Sequence, residues 1–589
     1  MVFRPGTTLP LLLASLLAAC AAPSVSDRAV PSGPVASGQV EVGIIAINDF
    51  HGALDPPRQS VDVRQADGTM LSVPAGGAAW LASAVDELKS RHPNHVVVAA
   101  GDLTSASQLA SSLYLDEPSV GVMNRIGLEF TAVGNHEFDR GWRELLRLQN
   151  GGCEKNGRLD PCQLEPFAGA RYKYLAASTY FADGSTLFPA TGTKTFGEGA
   201  SRVRIGFVGL ALKDVPTLVS PDRIKELRFG DEAEAIDRAA SQLRAQGVDA
   251  VVVLIHQGGR TKLGNPNGCD DFTGDIRPIL ERLAPGVDVV VSGHTHWAYV
   301  CNYRPANGAA PILLTSAGVY GELVTDITIR IDPKAHRVIS SAAHNVIVQS
   351  EPYVAGKGPI ANTAVFPVFA PRADVADLAR RYKEASRAQV QRPVGRLSQE
   401  ATLADDAAIG SGGTLGNLVA DGQLAATRAA GARIAFANPF SLRAALVPAA
   451  DGSVTFGQLY AAQPFGNEMV TMTLSGAQIR AVIEQGLDDD GHKEILAPSA
   501  GLIIRYDLAR PPGDRIVTLT LDGKPLAPDA AYRISVVSFL AEGGDGFSLF
   551  TKGTDRVRGI ADLEATEDWI KAVPIREVPQ ESRAAGVGR

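Results

Sequence analysis

Five segments of the sequence contain aspartate, asparagine and histidine in combinations that are typical of metal ligands. The segments read Asn48-Asp49-Phe50-His51, Gly101-Asp102, Gly134-Asn135-His136-Glu137, His256 and Gly293-His294-Thr295-His296. A mixture of carboxylate or amide oxygens with imidazole nitrogens suits Zn²⁺, Mn²⁺, Co²⁺ or Fe²⁺, and it fits neither an all-oxygen calcium cage nor a thiolate site. We therefore expect these segments to form a metal site.

The elements that must position these side chains are short runs rich in β-branched residues, separated by stretches with apolar residues at helical spacing. The runs span residues 42–48, 95–100, 130–134, 203–210, 249–256 and 287–294. Buried strands that alternate with helices indicate an α/β layered domain. Five of the runs end directly at the metal-type residues, and ligands in such sheets gather beyond the carboxyl ends of the strands. One such motif alone is usually structural, but five in order predict a common site.

Length and charge exclude several classes of protein. At 589 residues the chain is too long for one compact core, so two or three domains are expected. The net charge of −8 argues against a general binder of nucleic acid polymers, which needs a basic surface. The only long apolar run, residues 9–19, is shorter than the roughly 20 residues of a membrane-spanning helix.

The first residues are typical of a secretory signal, with Arg4 before a short apolar centre and small residues before Cys20. The sequence Leu17-Ala18-Ala19-Cys20 also resembles a bacterial lipobox, in which Cys20 would be lipidated; the alternative is an ordinary cleavage site that contains a cysteine. Residues 21–40 are rich in proline, serine and glycine and indicate a flexible tether. We expect an exported lipoprotein, at the periplasmic face of the outer rather than the inner membrane.

Four cysteines remain after Cys20, and none of them lies in a CxxC pair. They are Cys153, Cys162, Cys269 and Cys301. An exported compartment allows disulfides, and four cysteines permit three pairings. A Cys153–Cys162 bridge would close a small polar loop, and a Cys269–Cys301 bridge would join the loop after one metal-type segment to the residues beyond another. We expect structural bridges.

The ordered set of metal-type segments resembles the calcineurin-type metallophosphoesterases, and the two-domain layout resembles the secreted 5′-nucleotidases and UDP-sugar hydrolases. The resemblance implies an N-terminal four-layer α/β/β/α domain and a C-terminal α+β substrate-binding domain. The expected organisation is a signal peptide (1–20), a tether (21–40), a dimetal domain (41–350), a linker with a charged connector helix (351–393, the charged stretch covering 374–396), a substrate domain (394–575) and a tail (576–589).

By this resemblance, the chain would hold two divalent ions of uncertain identity that activate a water for attack on phosphorus. One ion would take Asp49, His51, Asp102 and His296. The other would take Asn135, His256 and His294, with Asp102 bridging the two. His136 would stabilise charge or donate a proton near the phosphate, and Asp139 would orient His136. The alternative for Asp139 is a residue that caps the N-terminus of a helix.

The resemblance also assigns substrate-binding residues in the second half of the chain. Two aromatic side chains, Phe465 in QPFGNEM and Phe539 in SFLAEGGDGF, would sandwich a nucleobase, which stabilises binding by about 1–3 kcal/mol per base. Asn467 and Asp545 would flank the base or ribose. Isolated phenylalanines are more often core residues, but their setting in PFGN and GGDGF favours a functional role.

The chain departs from its relatives in two places. The family commonly has an Asn-x-Gly-Gly-x-Arg loop, and here Asn438 and Arg443 are kept while Phe440 and Ser441 replace the glycines. Arginines often found upstream of the Gly-Asn pair are absent, and the corresponding stretch contains Asp405, Asp406 and Ile409. Fewer cations would hold a phosphate less well, which puts the nucleotide specificity in question.

The resemblance therefore implies an exported, monomeric dimetal phosphohydrolase that hydrolyses nucleoside 5′-monophosphates for nucleotide salvage. The first alternative applies the same chemistry to a UDP-sugar, a 2′,3′-cyclic nucleotide or another phosphate ester. The second is a surface lipoprotein that binds without turnover, which would need a broken ligand set. Membrane contact is expected only through the lipid anchor.

Overall fold

The computed structural model describes residues 38–157, 159–262, 264–306, 308–355, 358–403, 411–488 and 495–587. The signal segment with Cys20, nearly all of the tether, the stretch with Asp405, Asp406 and Ile409, and the last two residues of the tail lie outside the described residues. None of the helices in the described part of the chain combines the length and the apolar character needed to cross a membrane.

Two six-stranded sheets form the N-terminal part of the chain. The first sheet has the spatial order Arg337–Ile347, Leu323–Asp332, Val40–Ile47, His95–Ala99, Phe130–Ala132 and Lys173–Leu175. The second has the order Ala298–Tyr303, Ile312–Ala317, Val289–Ser292, Ala250–His256, Val203–Ala211 and Thr191–Phe196. The centre of each sheet is parallel.

Alternation along the strands explains why the two sheets pack face to face. On the first strand, Val42 and Ile44 lie between the sheets together with Phe207 and Val252 of the second sheet. Ile45 and Ile47 point the other way and pack against helices. Since both faces of each central strand are buried, the strands are apolar throughout, as is usual for parallel sheets.

The helices cover the outer faces of the two sheets. Helices Ala78–Arg91 and Glu117–Ile126 pack on the first sheet, and helix Glu232–Ala245 packs on the second. The expected four-layer α/β/β/α arrangement is confirmed. The shorter helices of this half are Leu109–Ser112, Trp142–Asn150, Val215–Leu218, Pro221–Ile224 and Ile276–Leu280.

The C-terminal part is an α+β domain with two further sheets. A five-stranded sheet has the order Ala497–Pro498, Ile434–Ala437, Ala531–Val537, Glu468–Ser475 and Thr554–Ala561. A four-stranded sheet has the order Lys524–Pro525, Ile516–Leu521, Leu502–Tyr506 and Ala584–Gly586. Its helices are Gly413–Thr427, Phe456–Ala462, Gly476–Gln485, Ser538–Ala541 and Asp562–Lys571.

Four two-stranded sheets complete the described strands. They pair Ser60–Arg64 with Met70–Pro74, Thr179–Phe181 with Leu227–Phe229, Tyr353–Ala355 with Gly358–Ile360, and Pro393–Arg396 with Ser453–Thr455. The last pair lies at the entrance to the C-terminal domain.

The connector helix spans Ala373–Val390, which is shorter than the charged stretch 374–396. Pro393 begins a strand three residues later, and a proline cannot continue the hydrogen-bond ladder of a helix. One face of the helix, with Val375, Leu378 and Tyr382, is buried in the same core as the helices on the first sheet. The connector therefore packs as part of the N-terminal layers, a contact that its charged sequence did not indicate.

Both expected disulfides are present. Cys153 pairs with Cys162, and Cys269 pairs with Cys301. Disulfides persist in oxidising compartments and are rare in the cytosol, so the pairings agree with an extracytoplasmic location.

Candidate metal centre and substrate cavity

The metal-type residues lie where the two sheets meet, directly after the strands that were expected to carry them. Asp49 and His51 follow strand Val40–Ile47, and Asp102 follows strand His95–Ala99. Several of these residues have left-handed backbone angles, namely Asp49 (φ 48°), His51 (46°), Asp102 (51°), His294 (71°) and His296 (59°). Such conformations cost of order 1 kcal/mol or more each and tend to cluster at functional sites.

Two glycines give the carboxylates room. A Cβ atom on Gly134 would lie 2.1 Å from Oδ1 of Asp102, and one on Gly293 would lie 2.8 Å from Oδ2 of Asp49. Neither distance is sterically possible without movement of the carboxylate. A larger residue at Gly134 or Gly293 would therefore displace the carboxylate of Asp102 or of Asp49. The sequence pattern alone does not indicate this requirement for glycine.

The first group of donor atoms consists of Asp49, His51 and His296. Their nitrogen and oxygen atoms lie close together, with 3.2 Å between Nε2 of His51 and Nε2 of His296 and 3.4 Å between Nε2 of His296 and Oδ1 of Asp49. Oδ2 of Asp102 lies 3.8 Å from Nε2 of His51. Separations of this size are those expected between ligands that share one ion at about 2.0–2.2 Å from each donor.

The second group is centred on His256. Its Nε2 lies 2.9 Å from Oδ2 of Asp102 and 3.1 Å from Oδ1 of Asn135. The same Asn135 oxygen lies 3.1 Å from Nδ1 of His294. A single oxygen of Asp102 thus faces both groups, which is the placement that a bridging ligand requires.

Hydrogen bonds on the far side of two imidazoles fix which nitrogen faces the groups of donors. Nδ1 of His51 lies 2.9 Å from the carbonyl oxygen of Ser105, and Nδ1 of His256 lies 2.7 Å from that of Ala100. Because a carbonyl oxygen only accepts, each Nδ1 must carry the hydrogen. In the neutral ring, Nε2 then presents a lone pair to carboxylate and amide oxygens. Lone pairs that face one another in a buried site need a cation between them, so the residues present fit metal ions.

The pKa shifts follow the same electrostatics. Burial lowers the pKa of His51 to about 3 and that of His294 also to about 3, so both rings are neutral and able to act as ligands. Burial would also lower the pKa of His256, but Asp102 outweighs that effect and raises it to about 10. The surroundings of His256 thus favour positive charge at this position.

Glu137, which is not among the predicted site residues, holds the loop that carries Asp102. Its carboxylate accepts hydrogen bonds from the backbone NH groups of Asp102 (2.8 Å), Leu103 (2.7 Å), Thr104 (3.2 Å) and Gly134 (2.6 Å). Burial and the charge of Asp102 raise its pKa to about 7. Only its position next to His136 in the third segment could have indicated this role.

His136 lies at the edge of the donor groups, between the two domains. Its Nδ1 is 2.8 Å from Oδ2 of Asp139, as the resemblance implied. Burial lowers the pKa of His136, but the charges of Asp139 and Asp102 outweigh burial and raise it above its usual value. The sequence did not indicate the second neighbour of His136. The ring of Phe465 stacks on the imidazole, with 5.7 Å between the ring centroids and 17° between the ring planes.

One cavity of about 670 Å³, here called the main cavity, joins the metal-type residues to the C-terminal domain. Its lining includes Asp102, Asn135, His136, Asp139, His294, His296, Phe440, Ser441, Arg443, Phe465, Asn467, Phe539 and Asp545. The structure therefore brings five of the six expected substrate residues to the cavity. The exception is Asn438, which is buried behind the lining and donates a hydrogen bond to Oδ2 of Asp545 at 2.7 Å.

The C-terminal lining has its own electrostatic arrangement. Burial raises the pKa of Asp545, although Asn438 and the nearby Arg443 oppose the rise. The guanidinium of Arg443 lies 5.3 Å from the ring centroid of Phe465. Phe440 and Ser441, at the two positions where the resemblance implied glycines, both line the main cavity.

Comparison with known proteins gives two family matches. Residues 43–298 match the calcineurin-like phosphoesterases, and residues 393–552 match the C-terminal domain of 5′-nucleotidases. Calcineurin-like phosphoesterases use a dimetal site, and the aspartate and histidine groups described above could bind metals.

The chain is also similar to individual known proteins over most of its length. The chain is similar to endonuclease YhcR of Bacillus subtilis, with 28% identity over 90% of this chain and 40% of the relative, so it spans less than half of that protein. It is 28% identical to cell wall protein Lmo0130 of Listeria monocytogenes, over 97% of this chain and 71% of the relative. The solved 5′-nucleotidase precursor of Thermus thermophilus superposes with a TM-score of 0.71 at 25% identity, covering 93% of this chain and 100% of that chain.

The role of Glu137 is testable by Glu137→Gln at pH 8, where the wild-type carboxylate is mostly ionised. The substitution replaces one acceptor oxygen by an NH₂ group that faces backbone NH donors. We expect the free energy of unfolding to fall by about 1–3 kcal/mol, measured by urea denaturation. Glu154→Gln, in an exposed loop, is the control and should change stability by less than about 0.5 kcal/mol. Equal stabilities of the two variants would contradict the role.

Proposed function

We propose a specific activity for this chain. The chain belongs to the two-domain family in which a calcineurin-like phosphoesterase domain is joined to a 5′-nucleotidase C-terminal domain, and it is a metal-dependent phosphoric ester hydrolase. The proposed reaction releases inorganic phosphate from nucleoside 5′-monophosphates. The products are a nucleoside and phosphate, which is a salvage reaction for an exported enzyme.

The observation that carries the proposal is the composition of the main cavity. Its N-terminal side contains Asp102, Asn135, His294 and His296, and its C-terminal side contains aromatic and polar residues suited to a nucleoside. A volume of about 670 Å³ is within the range of cavities that bind small organic ligands. The cavity therefore supports a ligand with a phosphate at one end and a planar group at the other.

The proposed metal ligands are Asp49, His51, Asp102, Asn135, His256, His294 and His296. Two divalent ions of Zn²⁺, Mn²⁺, Co²⁺ or Fe²⁺ type, when bound, supply positive charge for the phosphate oxygens and lower the pKa of a water. Asp102 contributes through Oδ2, which faces both donor groups. Its Oδ1 accepts from the backbone NH of His136 at 2.9 Å, which fixes the carboxylate.

His136 is the proposed acid or charge-stabilising group. Its raised pKa favours the protonated form, which can stabilise the phosphate or protonate the leaving oxygen. The hydrogen bond from Nδ1 to Asp139 orients the ring so that Nε2 is free for the substrate. Asp139 is accordingly the proposed positioning residue, and the helix that follows it, Trp142–Asn150, has Gly141 at its N-cap.

The proposed nucleoside site uses Phe465 and Phe539 as aromatic walls, with Asn467 and Asp545 for the base or ribose. Arg443 is placed to attract an anionic group, since its guanidinium makes no ion pair with another described residue. Asn438 supports Asp545 rather than the substrate directly.

A second candidate reaction is the hydrolysis of another phosphate ester, such as a 2′,3′-cyclic nucleotide or a UDP-sugar. The specific observation in its favour is the lining position of Phe440 and Ser441. These side chains occupy space that two glycines would leave open and so change the shape available to the nucleotide.

For the location, we propose an exported lipoprotein anchored at Cys20, at the periplasmic face of a bacterial outer membrane and monomeric. The two disulfides support export, and a related protein is named a cell wall protein.

The proposed function is tested by phosphate release from a nucleotide panel, using a soluble form that lacks residues 1–20. The panel contains AMP, UDP-glucose, a cyclic nucleotide and bis-p-nitrophenyl phosphate, each with and without Mn²⁺, Co²⁺ or Zn²⁺. We expect the highest kcat/KM on AMP, because only AMP places a terminal phosphate at the metal-type residues and a base in the C-terminal half. A higher value on the cyclic nucleotide or UDP-glucose would support the second candidate instead.

The metal assignment is tested by Asp102→Asn. We expect activity on every phosphate ester to fall at least about 10²-fold, because the amide is a weaker ligand at the one position that faces both donor groups. His136→Ala is the matched comparison and should lower turnover while keeping the bound metal, measured by elemental analysis. Full metal content with wild-type turnover in Asp102→Asn would contradict the assignment.

The base site is tested by Phe465→Ala. Loss of one stacking surface should raise KM for AMP by about tenfold or more. Phe465→Leu separates the two contacts of this ring, because leucine keeps an apolar side chain beside His136 but removes the aromatic face. If leucine restores kcat on p-nitrophenyl phosphate while KM for AMP stays high, stacking is the cause. A similar KM for AMP in wild type and both variants would sink the base-site role.

A further inference from the structure

His296 differs from two other histidines of the proposed metal site in how its ring is held. The imidazoles of His51 and His256 each donate a hydrogen bond from Nδ1 to a backbone carbonyl oxygen, at 2.9 Å and 2.7 Å. Nδ1 of His296 has no hydrogen-bond partner within the described part of the chain, and its side chain is 27% exposed. A histidine that binds a metal almost always donates its second ring NH to an acceptor, which fixes the ring. Another contact is therefore needed to orient His296.

The ring of Tyr320 contacts both histidines of the first group of donor atoms. Its centroid lies 6.3 Å from that of His296, with 53° between the ring planes, and 5.9 Å from that of His51, with 60° between the planes. Aromatic rings attract one another in tilted and edge-on arrangements with about 4.5–7 Å between centroids. Tyr320 is therefore placed to limit rotation of the His296 ring, whose Nε2 lies 3.4 Å from Oδ1 of Asp49.

The backbone of Tyr320 is fixed to the loop that carries the other proposed ligands of this group. Its NH donates to the carbonyl oxygen of Asp49 at 2.8 Å, and its carbonyl oxygen accepts from the NH of Gly77 at 3.3 Å. Its φ of 56° is left-handed, which is uncommon and unfavourable for a bulky side chain. Strain of this kind persists only where the surrounding structure imposes it. The loop thus holds Tyr320 in an unfavourable conformation at a position where its ring meets the two histidines.

The ring of Tyr320, and not its hydroxyl group, makes these contacts. The hydroxyl makes no hydrogen bond to any residue that the structure describes, so a structural hydrogen bond does not explain the tyrosine. Among the described residues, the ring contacts neither His256 nor His294, which lie against each other with 5.2 Å between centroids. Removal of the ring should therefore affect one of the two proposed ions and leave the other unchanged.

We propose that Tyr320 is a positioning residue for the ion at the first group of donor atoms, and that its ring holds His296 in place of the missing hydrogen bond. This inference rests on the proposed function, because it takes Asp49, His51 and His296 as ligands of one ion. It adds a residue that does not line the main cavity and acts through the orientation of a proposed ligand. An imidazole that is free to rotate loses that freedom when it binds an ion, so a ring that is already held binds the ion more tightly.

The positioning role is tested by titration of the metal-free full chain with Co²⁺, in which calorimetry gives a dissociation constant for each of two ions. In Tyr320→Ala we expect one dissociation constant to rise about tenfold and the other to stay unchanged. Tyr320→Phe keeps the ring and should match the wild type. Tyr353→Ala, which removes a half-buried tyrosine of strand Tyr353–Ala355 outside both groups of donor atoms, is the matched control and should change neither constant.

A second measurement asks whether Tyr320 acts through His296. The same titration is made with His296→Ala, alone and combined with Tyr320→Ala. If the ring orients His296, Tyr320→Ala should have no further effect once the imidazole is absent. A tenfold loss that persists in the His296→Ala background would overturn the inference, because it would show a general effect of the tyrosine on the fold.

Two other outcomes would also overturn the positioning role. One is equal dissociation constants in wild type and Tyr320→Ala, and the other is a loss in Tyr320→Phe as large as that in Tyr320→Ala. Failure of the proposed function shows separately. Fewer than two Co²⁺ ions bound by the wild type would refute the metal assignment and the positioning role together, whereas absent phosphate release from AMP with two ions bound would refute the nucleotidase proposal alone.

Discussion

The buried carboxylates of Asp49 and Asp102 impose the constraint on which the rest of the structure depends. Both side chains are almost inaccessible to water, and each lies within a few ångströms of the histidines that contact the other. Uncompensated charges of this kind are strongly unfavourable in a protein interior. In the two-sheet fold, five strands end at one place, so that imidazoles and metal ions can balance the negative charges of the two carboxylates.

To balance these charges, the loops that carry the ligands must hold well-defined backbone conformations, and some of these conformations are strained. Left-handed angles at Asp49, Asp102 and His294 would be unfavourable in isolation. Glu137 compensates by collecting four backbone NH groups from the loops around Asp102. Asn48 supports Asp49 as a donor, since its Nδ2 donates to Oδ2 of Asp49 at 2.8 Å and to the carbonyl oxygen of Gly318 at 2.6 Å. Strain and support are thus paired within the site.

The sequence predicts the parts of this arrangement that depend on local pattern. Apolar runs indicated the strands, for example residues 249–256 against the observed Ala250–His256, and ligand types at their ends indicated the metal-type groups. Supporting contacts such as those of Glu137 depend on loops about 30 or more residues apart and leave no periodic signal. The packing of the connector helix and the stacking of Phe465 on His136 arise from tertiary geometry in the same way.

The contact between His136 and Phe465 has a consequence for how the two domains cooperate. His136 belongs to the domain with the metal-type residues, whereas Phe465 belongs to the domain proposed to bind the base. Tyr460, which belongs to the same domain as Phe465, also donates a hydrogen bond across the interface to Ser112. In the proposed function, a base on the face of Phe465 that contacts His136 would displace that imidazole, whereas a base on the other face would leave the contact in place. In either case the proposed base site and the proposed acid would be neighbours through a single aromatic ring, so that no longer-range contact between the domains is needed to bring them together.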